Sequence, residues 1–586
     1  LLSGSLTDRQ LADAVASDAA LVVTDGNRRR IQTWFYSLRE TRGPTEEAGE
    51  TMVEPSGYDA RLQTFPDPSD RTRSVVDQVG ATVRATSAGG GAARPEDRPV
   101  AAVDGRVDTS WRVGGADPTG QRLTVEFDER RTVDRVVLVQ PQDGPRDRII
   151  TRARLRFDEG PAIDVDLDRT SVQPDGQVVA VPQQEVGAVE VEILEVSDPG
   201  FDPGLANAVG FAEVGLGDLR VEETVRLPRD LLDEVGEASH DRSLDLVLTR
   251  LRTDPDDWTR GDDEMVLDRS FDLPTARSFT LTGTARPAGG AADPVLDGLL
   301  GTRGPAVISS SSRLQGSPDS RASRAFDGDA ATAWTGAVDD EGPWIEVTGE
   351  EAVVLGDELR LDVVADGRHS LPAMVSVTVD GEVVANHLVG PLTEGSEPGH
   401  LVPVTVPLGP APRTADTVRV HVTSVVPRPT DASKAAAVLP VGIAEIDGIQ
   451  VAAATTGIVD PACRSDLVTV DGEAVPVRLG DPSPAGTLSV EACGDLDLAP
   501  GPHRLRSRLG AVTGVDLDTL VLSSAPGGDV GTTAVRGTGA DDAPARVVSQ
   551  VVDRTSVRAT VEADGTPFWF VLAQSASAGW TVEVDG

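Results

Sequence analysis

A carboxylate and a hydroxyl stand five residues apart in a phrase that the chain uses twice. The phrase reads Val103-Asp104-Gly105-Arg106-Val107-Asp108-Thr109-Ser110-Trp111 and then Phe326-Asp327-Gly328-Asp329-Ala330-Ala331-Thr332-Ala333-Trp334. Asp-Gly followed by Thr places the two oxygens at the ends of one tight loop, with main-chain carbonyls turned inward between them. Far downstream of each copy a Glu sits between apolar neighbours, Phe211-Ala212-Glu213-Val214 and Ile443-Ala444-Glu445-Ile446. A Glu returning to such a corner completes an oxygen-only cage of the kind a hard cation takes, and calcium suits it better than magnesium, which demands regular octahedral geometry and keeps several waters. The plainer alternative is an Asp-Gly turn whose carboxylate caps neighbouring amides with no metal. Two copies with the same distant partner make a domain-sized internal repeat.

Other chemistry is thinly represented. The six histidines show no paired metal spacing and none adjoins a nucleophilic Ser or Cys, and no glycine-rich phosphate loop follows a strand. With 95 acidic residues, carboxylates close in sequence say nothing about glycosidase chemistry. A formal charge of −42 disfavours nucleic acid and anionic lipid. Arg28-Arg29-Arg30 beside Trp34-Phe35-Tyr36 reads either as a grip for phosphate or sugar or as a solvated turn with an aromatic anchor. The acidic stretch around Asp254 to Glu264 lacks the glycine-centred spacing of a calcium loop and reads as a solvated loop. Cys463 and Cys493 fit a disulfide in an oxidising compartment, or two buried thiols in a reducing one.

The elements that must carry the phrases are short alternating strands. At 586 residues the chain exceeds one core, and roughly three to five domains are expected. Sixty Gly and 41 Pro, with many Val/Leu/Thr runs, favour β-sandwiches. The expected division is an α/β segment over 1–75, with Thr7 capping a short helix, and a β-sandwich over 76–221. A β-rich interdomain segment over 222–303, a second sandwich over 304–453, a cysteine-bearing β-module over 454–545 and terminal strands over 546–586 follow. No apolar stretch reaches membrane-spanning length. The absence of a signal peptide and an initiator Met, with an ending inside a hairpin pattern, suggests a piece of a larger protein.

On these phrases the two units resemble the discoidin, or coagulation factor V/VIII type C, family, whose jelly roll is also the galactose-binding-like fold of many carbohydrate-binding modules. That resemblance implies structural calcium held by the side chains of Asp104, Thr109 and Glu213 and of Asp327, Thr332 and Glu445. It implies main-chain carbonyls from Ala101, Arg106 and Ala212, and from Arg324, Asp329 and Ala444, with Trp111 and Trp334 in the core. Arg106 departs from the acidic or amide residue expected there. His369, His387 and Arg368 are read as loop residues of the second unit able to bond sugar hydroxyls.

The order of parts, from Val22-Val23-Thr24-Asp25-Gly26-Asn27-Arg28 to Gly579-Trp580 and Val584-Asp585-Gly586, is similar to the extracytoplasmic C-terminal region of the large actinobacterial arabinofuranosyltransferases. Those membrane enzymes use a decaprenyl-phosphate sugar donor. The resemblance implies a non-catalytic scaffold in the cell envelope that holds arabinan or arabinogalactan, tethered to the membrane through other parts of the parent. The accessory region of a secreted glycoside hydrolase or sialidase, or an adhesive surface protein, are the competing classes.

Overall fold

A computed structural model describes residues 6–584 apart from 17–19, 29–37, 42–47, 49–68, 90–96, 142–146, 253–263, 430–435, 451–454, 457–461, 532–544, 566–580 and a few single residues and pairs. Strands dominate, and three hydrophobic cores organise them.

The first core belongs to a seven-stranded sheet built on two long strands, Arg122–Val139 and Gln177–Val196. Their alternation is interrupted by register shifts at Glu126/Arg131 and Val133/Arg135, where an extra run of residues bends the pair so that one strand serves both layers of a sandwich. The second unit repeats this plan with eight strands on Trp344–Val364, which shifts register at Thr348/Val353. The tryptophan of each phrase opens a short strand that pairs with the closing phrase: Trp111 stands opposite Phe211 and Trp334 opposite Ile443. Both tryptophans are wholly buried, and each indole N–H donates to a main-chain carbonyl, Ser87 in one unit and Ser312 in the other.

The third core corrects the expected division. Segments 222–303 and 454–545 are not separate modules, because their strands interleave in two sheets around one core. Asp268–Leu273 pairs with Gly501–Ser507, and Arg277–Pro287 pairs with Leu488–Ala492 and Val515–Ser524. The N-terminal strand Leu21–Thr24 joins them, parallel to Leu244–Thr249, instead of forming an α/β segment of its own. Val75–Val79, assigned above to the edge of the first unit, pairs with Glu222–Arg226 in the same sheet. The reason is that an isolated hairpin cannot bury its apolar face, whereas three short segments together close a sandwich. Both repeat units are therefore insertions. Each has a paired neck, Val75–Val79 with Glu222–Arg226 and Thr302–Arg303 with Thr455–Thr456.

Cys463 and Cys493 are joined by a disulfide within the composite sandwich. Thr7 caps the helix Asp8–Ala16 as expected: its hydroxyl accepts from Gln10 N–H while the Gln10 side chain accepts from Thr7 N–H, a capping box. The terminal strands Ala545–Val552 and Val557–Ala563 form a two-stranded hairpin. No helix among the described residues is long and apolar enough to cross a membrane.

Two expectations about charge fail in the composite sandwich. Arg28, read as part of a grip or a solvated turn, is buried and bridges Asp25 at 2.9 Å and Glu264 at 2.8 Å. Glu264, at the end of the Asp-rich stretch, is also largely buried and bonds Arg269 at 2.7 Å. Arg269 meets Asp25 at 2.5 Å, so two guanidiniums and two carboxylates lock the N-terminal strand to the sandwich. Arg29 to Tyr36 and Asp254 to Asp263 lie outside the described residues.

Candidate functional site

The two phrases fold alike, and the structure brings each distant Glu to its Asp. In the first unit the Thr109 hydroxyl donates to Asp104 Oδ2 at 2.8 Å, and Arg106 N–H donates to Asp104 Oδ1 at 3.0 Å. Glu213 Oε2 accepts from Gly105 N–H at 3.1 Å. In the second unit Thr332 donates to Asp327 Oδ2 at 2.8 Å and Asp329 N–H donates to Asp327 Oδ1 at 3.0 Å. The N–H groups of Gly328 and Asp329 face Glu445. Gly105 and Gly328 have φ of 80° and 75°, the left-handed turn that lets the loop double back on its carboxylate.

The electrostatics of the pairs are alike in kind. Burial pushes Asp104 up to about 6, against the bonds from Thr109 and Arg106. Burial, then the charge of Asp104, pushes Glu213 up to about 7. The same two causes, burial and then Asp327, raise Glu445. Two carboxylates facing each other without a cation between them favour a shared proton.

One testable consequence is a pH dependence of the first sandwich in calcium-free buffer. Unfolded, both carboxyls ionise near pH 4, so the folded pair holds a proton that unfolding releases. The stability this proton lends is complete below about pH 4 and lost as the pH rises through about 7. Calorimetry is expected to show the first sandwich weakening between about pH 4 and 8 by on the order of 3 kcal/mol for one shared proton. Glu213→Gln should flatten that profile.

The cages differ in what already occupies their surroundings. In the first, the Arg220 side chain lies against Gly105, where an added Cβ would stand 1.9 Å from its Cδ and Nε, and its charge acts on Glu213. The Arg106 guanidinium pairs with Asp108 at 2.5 Å, and its charge also acts on Asp104. In the second, a Cβ added at Gly328 would meet nothing within 4 Å, and Glu445 Oε1 is buried without a hydrogen-bond partner. Arg324 pairs with Asp327 at 3.1 Å from the side. An orphaned carboxylate oxygen beside a second carboxylate, a hydroxyl and main-chain oxygens fits a hard cation. Each cage has an arginine beside it, and the second passes this test better than the first because only there is a carboxylate oxygen, Glu445 Oε1, buried without a partner. Among the described residues no three His, Cys, Asp or Glu side chains cluster as a metal site, so a cation in either cage would need main-chain carbonyls among its ligands.

The loop ends of the sandwiches also diverge. In the first unit Arg148, 1% exposed, donates to the carbonyls of Gly115, Ala116, Pro203 and Asn207, tying three loops together. In the second unit the corresponding end carries Asp366, Arg368, His369 and His400. His369 Nδ1 meets buried Asp366 at 2.8 Å, and Gly399 N–H donates to the same carboxylate. Burial would raise Asp366, but His369 and the N–H groups of Arg368 and Gly399 outweigh it and hold it at about 2. Arg368 is exposed and His369 half-buried, while His387, read as a loop residue, lies in the strand Glu382–Leu388. Asp366, His400, Arg148 and Arg220 were not singled out from sequence. An arginine has no local signature in a chain whose 53 basic residues include only one lysine, Lys434.

Fold and site together define a protein of two similarly built β-sandwiches, each inserted into a third, composite sandwich. Against solved structures, the chain shares its fold with part of the arabinofuranosyltransferase AftD from mycobacteria. The alignment covers 88% of this chain and 40% of that one at 18% identity, with a TM-score of 0.57. An arginine-to-serine mutant of that enzyme aligns over 88% and 41% at 18% identity, with a TM-score of 0.58. The tandem CBM32 domains of Clostridium perfringens ZmpB align over 63% of this chain and 90% of theirs at 12% identity, with a TM-score of 0.19. No family model and no curated protein matches the sequence. The chain spans about two fifths of the length of the mycobacterial enzyme.

Proposed function

We propose that this chain is the glycan-holding, non-catalytic part of a cell-envelope arabinofuranosyltransferase, outside the cytoplasm and joined to the membrane by other parts of its parent. The observation that carries the reading is the shared fold with the mycobacterial arabinofuranosyltransferase across 88% of the chain. Its role is to keep arabinan or arabinogalactan near a membrane active site, a gain in effective concentration and not a chemical step.

Within this reading the second sandwich holds the polysaccharide at its loop end. His369, oriented by Asp366, and exposed Arg368 supply hydrogen bonds there, whereas Arg148 closes the equivalent loops of the first. Asp327, Thr332 and Glu445, with the carbonyls of Arg324, Asp329 and Ala444, would hold calcium. The ion would neutralise the facing carboxylates and fix the phrase loop.

Affinity electrophoresis tests this. The chain is expected to be retarded more by arabinan or arabinogalactan than by an unrelated glucan, and His369→Ala should lose most of the difference. Equal mobility in all three gels would count against a holding role.

A further inference from the structure

We propose that the second sandwich carries an extended saccharide-binding face on the outer side of the sheet that holds Trp344. Four strands, Trp344–Val364, Arg413–Val426, Leu371–Val379 and Glu382–Leu388, lie side by side there in that order. Their register sets Trp344 opposite His421, His421 opposite Ser376 and Ser376 opposite Asn386, one residue from each strand in a single row. The adjoining residues Ile345, Val420 and Val377 belong to the core, so by strand alternation the row faces away from it. The row stands partway along the strands, apart from the His369 loop end that precedes Leu371–Val379.

The two repeat units treat this row in opposite ways. In the first sandwich the corresponding strands run in the same order, and Arg122, Glu192, Arg154 and Asp164 occupy the same row, beside the core residues Leu123, Val191 and Leu155. Those charges satisfy one another: Arg154 meets Asp164 at 2.7 Å and Glu192 at 3.7 Å. Cross-strand pairs of opposite charge are an ordinary way to finish a sheet face in water. In the second sandwich none of the four side chains has a hydrogen bond or ion pair among the described residues, and none of their polar atoms is sealed from solvent.

The aromatic member points most directly to a ligand. Of the three tryptophans among the described residues, Trp111 and Trp334 are wholly buried, whereas Trp344 is half-buried with its indole N–H unspent. A tryptophan with an apolar body and an open polar tip is a recurrent recognition element. Arg419 lies 4.2 Å from its ring centre and is itself anchored by Glu346 at 2.7 Å, so the ring is set in place before anything binds. Ser376, 6% exposed, and half-buried His421 are likewise fixed on central strands, and exposed Asn386 ends the row at the sheet edge.

Charge and shape define the class. The row holds no carboxylate and no guanidinium, and Arg419 beside it is already paired, so an anion finds no open cation on a chain of net charge −42. Indole, imidazole, hydroxyl and amide groups between them donate and accept, which suits a ligand rich in hydroxyls. Neighbouring strands lie about 4.8 Å apart, so the row is about 15 Å long, the scale of several linked sugar rings. An extended peptide recognises a sheet by continuing its edge, and this row lies on the face. The ligand class is a neutral, linear oligosaccharide. The glycan-holding reading enters only in the choice of the arabinose probe.

Met374 precedes Ser376 on the same strand and is exposed, and exposed Met265 lies beside Asp268–Leu273 of the composite sandwich, so the two methyls report on and off the face. The full chain, carrying methyl-labelled Met, is titrated with a linear arabinofuranosyl hexasaccharide, with xylohexaose and with a neutral Gly-Ser-Asn decapeptide. The arabinofuranoside is expected to shift Met374 saturably and leave Met265 in place. Trp344→Phe, which keeps a ring against Arg419 and removes the N–H, should weaken binding about fivefold, and Asn386→Ala about threefold. The two together should weaken it at least about tenfold. Glu192→Gln, in the corresponding row of the first sandwich, should leave the affinity unchanged. An unmoved Met374 with both saccharides, or folded Trp344→Phe and Asn386→Ala proteins that bind as the parent does, overturns the face. A Met374 response to the decapeptide and to neither saccharide also overturns it and marks a protein interface. Saturable shifts with xylohexaose but not with the arabinofuranoside keep the face and sink the arabinan reading. Gel retardation by arabinan with an unmoved Met374 does the reverse.

Discussion

Chelating calcium is expected to lower the melting temperature of the second sandwich by roughly 5–10 °C. The magnitude follows from linkage: an ion at a hundred times its dissociation constant stabilises by about 2.7 kcal/mol, and a domain of this size moves about 2–4 °C per kcal/mol. Glu445→Gln separates the ion from the turn. It removes one of two facing charges and leaves the loop bonds of Asp327 with Thr332 and Asp329 intact. Without calcium this variant should melt above the parent, because the repulsion is gone; with calcium it should gain little. The first sandwich should respond less, since only in the second cage is a carboxylate oxygen, Glu445 Oε1, buried without a partner. Calorimetric transitions that ignore both chelator and ion would leave only an Asp-Gly turn.

Arg269→Leu is expected to destabilise the composite sandwich by about 3–5 kcal/mol, the scale for breaking a buried pair from one side. Burial alone would lower Arg269, yet Glu264 and Asp25 hold it charged, and it is fully buried. Removing it leaves Asp25 and Glu264 sharing the single guanidinium of Arg28 in the ion-pair network among the described residues. Urea denaturation should show the loss, and proteolysis should reach the released strand Leu21–Thr24 first. Arg154→Leu, on the exposed ladder with Asp164, serves as the control and should leave the transition where it was. A shift no larger than that control's would mean the network contributes nothing.

The phrase cages were legible in sequence because a tight loop needs particular residue types at consecutive positions. Asp, Gly, Thr and Trp leave a local record, and the Glu two residues after Phe211 or Ile443 follows from one strand register. The composite sandwich left no such record. Asp268–Leu273 and Gly501–Ser507 alternate like any half-buried strand, and nothing local states that they pair across two hundred residues of intervening chain. The boundary at 221/222 failed for the same reason, since Val75–Val79 and Glu222–Arg226 read as strands without naming their sheet. Charge was misread where burial reversed its meaning: Arg28 and Glu264 sit in hydrophilic stretches, and only their mutual pairing makes an interior position tolerable. Arg148 and Arg220 do their work through main-chain carbonyls and a glycine, partners that carry no identifying side chain.

The nested order of segments has a consequence for how the protein is made. Each inserted unit has all its strands once its own neck is synthesised, and the first is complete by about Arg226. The sandwich that encloses them must wait until Val515–Ser524 has emerged, because that strand lies between Leu244–Thr249 and Arg277–Pro287. During that interval Leu244–Thr249 and Arg277–Pro287 offer unpaired edges to a crowded surrounding. A chain stalled near residue 453 would thus display two finished lobes on an open, adhesive hub, a natural target for holdase chaperones.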